Sequence, residues 1–162
     1  MQQLIRLIIT SALIVTFTCD LVGQATNPTL TRRVQSKRLP KRVKRLISYN
    51  ESNVVSILRT LLSAEATYQS TTGNGNYGTL EQLRGQGLIE SIMAEGHRYG
   101  YLFKLRVETG SSESPASFET VAVPRIYGRT GLKSFYINET GVLRGANKRG
   151  AKATINDDPL DP

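Results

Sequence analysis

The sequence predicts an α+β domain, a long N-terminal amphipathic helix packed on a 3–4-stranded antiparallel sheet. Three observations carry that expectation. Val54, Ile57, Leu58, Leu61, Leu62 and the turn 65–68 recur at i, i+3/i+4 and i+7, which places them on one helix face. From Tyr99 the period becomes two: Tyr99, Tyr101, Phe103, Leu105 and Val107 alternate with Gly100, Leu102, Lys104, Arg106 and Glu108. A single apolar stripe needs a floor and a one-sided sheet needs a cover, so packing one on the other satisfies both.

In chain order, residues 1–25 read as a signal peptide or N-terminal anchor. Arg6 gives a positive start, 7–22 is mostly apolar, and Gly23 and Ala25 are the small residues expected before a cut after Ala25. The apolar run is shorter than the ~20 residues of a membrane-spanning helix, and Asp20 interrupts its end. Cys19, the only cysteine, lies inside this segment, so the exported chain is expected to hold together without disulfides. Residues 26–45 hold Pro28, Pro40 and a run of like charge, and read as a basic tether. The folded domain is expected over 46–147. Its helix opens near Leu46, with Ser48 or Asn50 as N-cap and Glu51 in the first turn. "STTGNGNYG" breaks that helix, Thr79-x-x-Gln82 caps a short second one, and "LIESIMAEG" adds a turn or two. "SFETVAVP" is a second strand stopped by Pro124, and "SFYIN-ETG-VLRG" a hairpin turning at Gly141. Residues 148–162 read as a loosely attached polar tail.

Net charge is +8, and its source is local. Arg32, Arg33, Lys37, Arg38, Lys41, Arg42, Lys44 and Arg45 are eight cations with no acid among them, while the rest of the chain carries 13 basic and 13 acidic residues. Such a strip can be a spacer, a contact for an anionic membrane surface or other polyanions, or a nucleic-acid arm. Without an accompanying nucleic-acid-binding fold, and with an export signal, the third is the least expected. No catalytic constellation is visible: His97 is the lone histidine, and no P-loop, HExxH or nucleophile relay is present. Gly73, Gly75 and Gly78 satisfy G-x-G-x-x-G, but a helix precedes them where a dinucleotide fingerprint needs a strand. The sequence therefore predicts no enzyme and no cofactor. Asp157, Asp158 and Asp161, with Asn156, are the one candidate oxygen set for a hard cation such as calcium.

The stretches "NESNVVSILRTLLSAEATYQ", "GNGNYGTLEQLRGQGLI", "YGYLFKL" and "SFYINETGVLRG" resemble the head domain of type IV pilins and type II secretion pseudopilins, from about Leu46 to Gly145. The resemblance implies an exported structural or protein-interaction domain, periplasmic or extracellular or held at the inner membrane, whose partners are secretion or pilus proteins. It also implies that a C-terminal loop such as 157–161 can hold calcium. The chain departs from the family at its start. In such proteins a basic leader, a Gly-Phe-Thr-Leu-Ile-Glu motif and an apolar stalk continuous with the head helix drive filament assembly. Here that motif is missing, and Pro40 and the eight cations stand between the apolar segment and the helix. The alternative expectation is a free periplasmic or secreted binding module whose basic tether holds anionic surfaces.

Overall fold

The computed structural model describes residues 39–160. The signal segment with Ala25, the cations Arg32, Arg33, Lys37 and Arg38, and Asp161 lie outside the described residues. Helix α1 spans Lys41–Ser70, and two short helices follow, α2 at Leu80–Gly85 and α3 at Ser91–Ala94. The strands are β1 (His97–Arg98), β2 (Tyr101–Glu108), β3 (Ser117–Pro124), β4 (Ser134–Asn138) and β5 (Arg144–Ala146). They pair antiparallel in the order β1-β2-β3-β4-β5.

Helix α1 begins at Lys41, not near Leu46. Pro40 is its N-cap, with ψ 145°, and its carbonyl accepts the Lys44 N–H at 3.1 Å. A residue at this boundary needs no intrahelical N–H bond, so proline fits, and Lys and Arg extend a helix readily. Lys41, Arg42, Lys44 and Arg45 are thus helical residues and not part of an extended tether. Ser48 and Asn50 are not caps either. Asn50 lies mid-helix and buried, with its side chain turned to the sheet.

The expected alternation holds through β2, whose residues are in turn buried or half-buried and exposed. Tyr101, Phe103 and Leu105 face α1 beside Ala122 of β3 and Phe135 and Ile137 of β4. Val54, Leu58 and Leu61 are 0–1% exposed against them. Full burial of each such side chain contributes about 1.5–3 kcal/mol, so the helix–sheet contact is the main source of stability.

The sheet has five strands, where three or four were expected. The extra strand is β1, which pairs His97 with Leu102 and Arg98 with Tyr101. Tyr99 is therefore the turn and not the first residue of β2. Tyr99 and Gly100 take φ of +48° and +70°, the two left-handed positions of a tight hairpin. Tyrosine is an unusual first residue there, which is why the pattern of two ran through it.

The tail is also not loose. Arg144 forms a bridge with Pro159, the Leu160 N–H donates to the Leu143 carbonyl at 2.8 Å, and Gly145 donates to Asp158 at 3.2 Å. Upstream of that pairing, Ala153 is 2% exposed against Val121 and Tyr136 on the outer face of the sheet. The tail thus crosses the outer face and then lines the β5 edge.

Candidate functional site

The segment 71–99 joins helix to sheet and packs along α1. Tyr68, buried in the last turn of α1, dictates its start: an added Cβ on Gly73 or Gly78 would come within 2.9–3.0 Å of that ring. Gly75 turns the chain at φ +86°. Asn76 accepts the Gly110 N–H at 2.9 Å, and the Tyr77 ring lies 4.8 Å from Phe118. The three glycines thus form a turn around an aromatic ring. Thr79 then caps α2 by a reciprocal pair with Gln82, at 3.3 and 2.8 Å, and Leu83 and Ile89 drop into the core.

Beneath this turn lies Glu65, fully buried on the apolar face of α1. Its Oε2 accepts the Gly78 N–H at 2.8 Å, while Oε1 has no partner among the described residues. Burial pushes its carboxyl up to about 7, opposed by the single Gly78 bond.

Between α1 and the connecting segment runs an open groove of about 450 Å³. Ile57, Leu88 and Met93 supply apolar walls, Asn53 and Thr60 supply hydrogen-bonding groups, and Glu90 and Arg98 pair across 3.0 Å. Arg98 also lies 5.2 Å from the centre of the Tyr99 ring. This arrangement suits apolar contact and hydrogen bonding to another chain. A second open surface is the outer side of β2, where Leu102, Lys104, Arg106 and Glu108 are exposed. The neighbouring outer side of β3 and β4 is partly covered by the tail through Ala153.

At the other end of α1, three polar groups hold the loop 125–133. Asn50 Nδ2 donates to the Thr130 carbonyl at 2.9 Å. The Glu51 carboxylate accepts the Leu132 and Lys133 N–H groups at 2.8 and 3.0 Å. The Tyr101 hydroxyl donates to the Lys133 carbonyl at 2.8 Å, and Gly131 lies so close that any side chain would overlap that hydroxyl. Sequence reading assigned Asn50 and Glu51 to the helix start. Their i, i+1 position at the edge of the apolar stripe is the signal that could have placed them against the sheet.

The sequence-predicted site residues separate in space. Lys41, Arg42, Lys44 and Arg45 are exposed on the first turns of α1. Asp157 is in the tail, where Oδ1 accepts the Lys148 ammonium at 2.8 Å and Oδ2 accepts the Thr154 N–H at 2.7 Å. The Lys148 bond holds its carboxyl below the usual range, supported by the Thr154 N–H. Asp158 is exposed beside it. Among the described residues no three His, Cys, Asp or Glu side chains gather in a cation-sized group. His97 is exposed, with Nδ1 3.3 Å from the Glu95 carbonyl. No described helix is long and apolar enough to cross a membrane. No protein-family model, curated protein or solved structure matches the chain.

Proposed function

We propose that the chain is an exported, non-enzymatic, pilin-like interaction domain associated with a bacterial envelope secretion or pilus system. The observation that supports this is the way α1 lies along one face of an antiparallel meander with the segment 71–99 packed on its flank. That arrangement leaves the groove and the outer side of β2 as surfaces for another protein. Affinity capture from the envelope fraction tests the reading. Secretion or pilus components are expected to co-purify with the native chain and to be lost with Ile92→Asp, an exposed change on α3 beside the groove. Capture without any such component overturns it.

The four cations that open α1 favour a second reading, a free periplasmic or secreted binding module that uses its basic strip to hold anionic surfaces. Mass spectrometry of the mature N-terminus separates the two. A chain starting at Thr26 is soluble, whereas a retained apolar segment is anchored.

A further inference from the structure

We propose that one end of the folded domain, built from the start of α1 and the loops 125–133 and 147–152, is a docking surface for an anionic lipid bilayer. The strand register places these pieces together. Tyr101 pairs with Pro124, and Ser134 pairs with Ala146, so the loops after β3 and β5 leave the sheet at the same end. The Asn50 and Glu51 bonds to residues 130–133 tie the start of α1 to that end. The Arg125 N–H donates to the Gly100 carbonyl at 2.9 Å, and Tyr99 stands edge-on to Tyr49 at 5.9 Å, which closes the gap between loop and helix.

The stretches 41–51, 124–134 and 146–152 hold ten basic residues and one acid, Glu51, whose carboxylate is bonded to two backbone amides. Lys148 is paired with Asp157; the other nine cations are exposed, and none has a carboxylate partner among the described residues. The loops at the opposite end, 71–78, 109–116 and 139–143, carry Glu113 and Glu139 and no base. The domain is therefore electrically polar from end to end, although its sequence composition beyond residue 45 is balanced.

Charge alone suits any polyanion, but the apolar groups narrow the choice. Leu46, Tyr49, Ile126 and Tyr127 are four of the eight large apolar side chains left exposed among the described residues, at 41–59%, and all sit among these cations. Aliphatic side chains beside lysine and arginine, with tyrosine between them, match the boundary between headgroup and acyl chain. Nucleic acid takes up aliphatic side chains only where its bases are unstacked, whereas the bilayer boundary admits Leu46 and Ile126 without that cost. The first turn of α1 lacks any acid and has no side-chain cap, so its cations oppose the helix dipole. A phosphate layer at that end relieves this repulsion. The chain also enters the domain here, with Arg32, Arg33, Lys37 and Arg38 just upstream in sequence.

The inference deepens the second reading above but is independent of any secretion partner, so the two can fail separately. The test is co-sedimentation of the exported protein with vesicles of phosphatidylcholine, with and without phosphatidylglycerol, at low and high salt. Binding is expected only with phosphatidylglycerol and is expected to weaken with salt. The double change Arg125→Glu and Arg129→Glu touches no residue of the tether. It is expected to lower binding by at least about tenfold, since each cation near a charged bilayer contributes roughly fivefold. Ile126→Ser is expected to weaken vesicle binding while leaving the thermal midpoint unchanged. Equal binding to both vesicle types overturns the proposal, as does unchanged binding of the well-folded double variant. Preferential binding to a DNA duplex overturns it in favour of nucleic acid. Self-association abolished by reversing Glu113 and Glu139 overturns it in favour of a second copy.

Discussion

Glu65 shows how a residue's place can be legible in a sequence while the reason for it is not. Its place on the apolar stripe is legible from spacing, but the stripe alone gives no reason for a carboxyl there. The reason is Gly78, thirteen residues later, whose N–H needs an acceptor under the aromatic ring of Tyr68. The arrangement makes stability depend on pH. The folded-state pKa is raised from 4.5 to about 7. The folded protein therefore keeps a proton that the unfolded chain releases between those values. Its stabilising effect is full below the unfolded pKa and is lost as pH rises through the folded one. The loss is on the order of 3 kcal/mol at most. Glu65→Gln keeps an oxygen for Gly78 and cannot ionise. It is expected to flatten this slope and to stabilise the protein by about 1–3 kcal/mol at about pH 8, with little effect near pH 4. Urea midpoints at the two pH values measure it, and an unchanged slope would assign the proton elsewhere.

At the scale of elements, α1 and β2 were legible because each keeps its period over many residues and holds its apolar residues mainly to one face. β3 runs Ser117–Pro124, as its composition predicts, and Thr79 caps α2 with Gln82. The start of α1 was not legible. Local rules favour Ser48 or Asn50 as a cap, and a run of cations reads as extended, but the helix runs back to Pro40 with Ile47 buried, and Asn50 and Glu51 direct their side chains to tertiary bonds and not to a cap. Those bonds give a prediction. Glu51→Ala leaves the half-buried amide of Leu132 without its partner, at a cost of about 1–3 kcal/mol. The Leu132 and Lys133 amides are expected to exchange with solvent faster, while those of β2 and β3 keep their protection. Uniformly faster exchange would show instead that the whole fold depends on Glu51. Gly131→Ala acts on the same loop by displacing the Tyr101 hydroxyl. It is expected to cost at least as much as typical overpacking, about 1–3 kcal/mol in a thermal or urea melt.

At the scale of the whole molecule, α1 covers one face of the sheet and the C-terminal segment covers part of the other, and that second, partial cover is the part the sequence hid. Residues 147–160 carry few apolar groups, and polarity at a chain end reads as fraying. What holds the segment is positional: one small side chain, Ala153, fits over Val121 and Tyr136, and Leu160 reaches the main core beside Phe135. Asp157 fixes the turn between them through Lys148 and Thr154. The same segment occupies the β5 edge, which would otherwise present free N–H and C=O groups to another strand. Truncation after Asn147 is therefore expected to do two separable things. Uncovering the outer cluster and losing the edge bonds lowers stability by about 2–5 kcal/mol. Exposing the β5 edge beside Tyr136 and Val121 makes the shortened chain associate with increasing concentration. Asp157→Asn should reproduce a milder form of the first effect, with loss of the Lys148 ion pair and without opening the edge. Its deficit should shrink as the pH falls through the lowered Asp157 pKa, because the native carboxylate then loses its charge as well. Melting curves against pH, read beside sedimentation at several concentrations, distinguish the two effects. A truncated chain that stays monomeric with an unshifted melt would mean that the tail covers the sheet without supporting it.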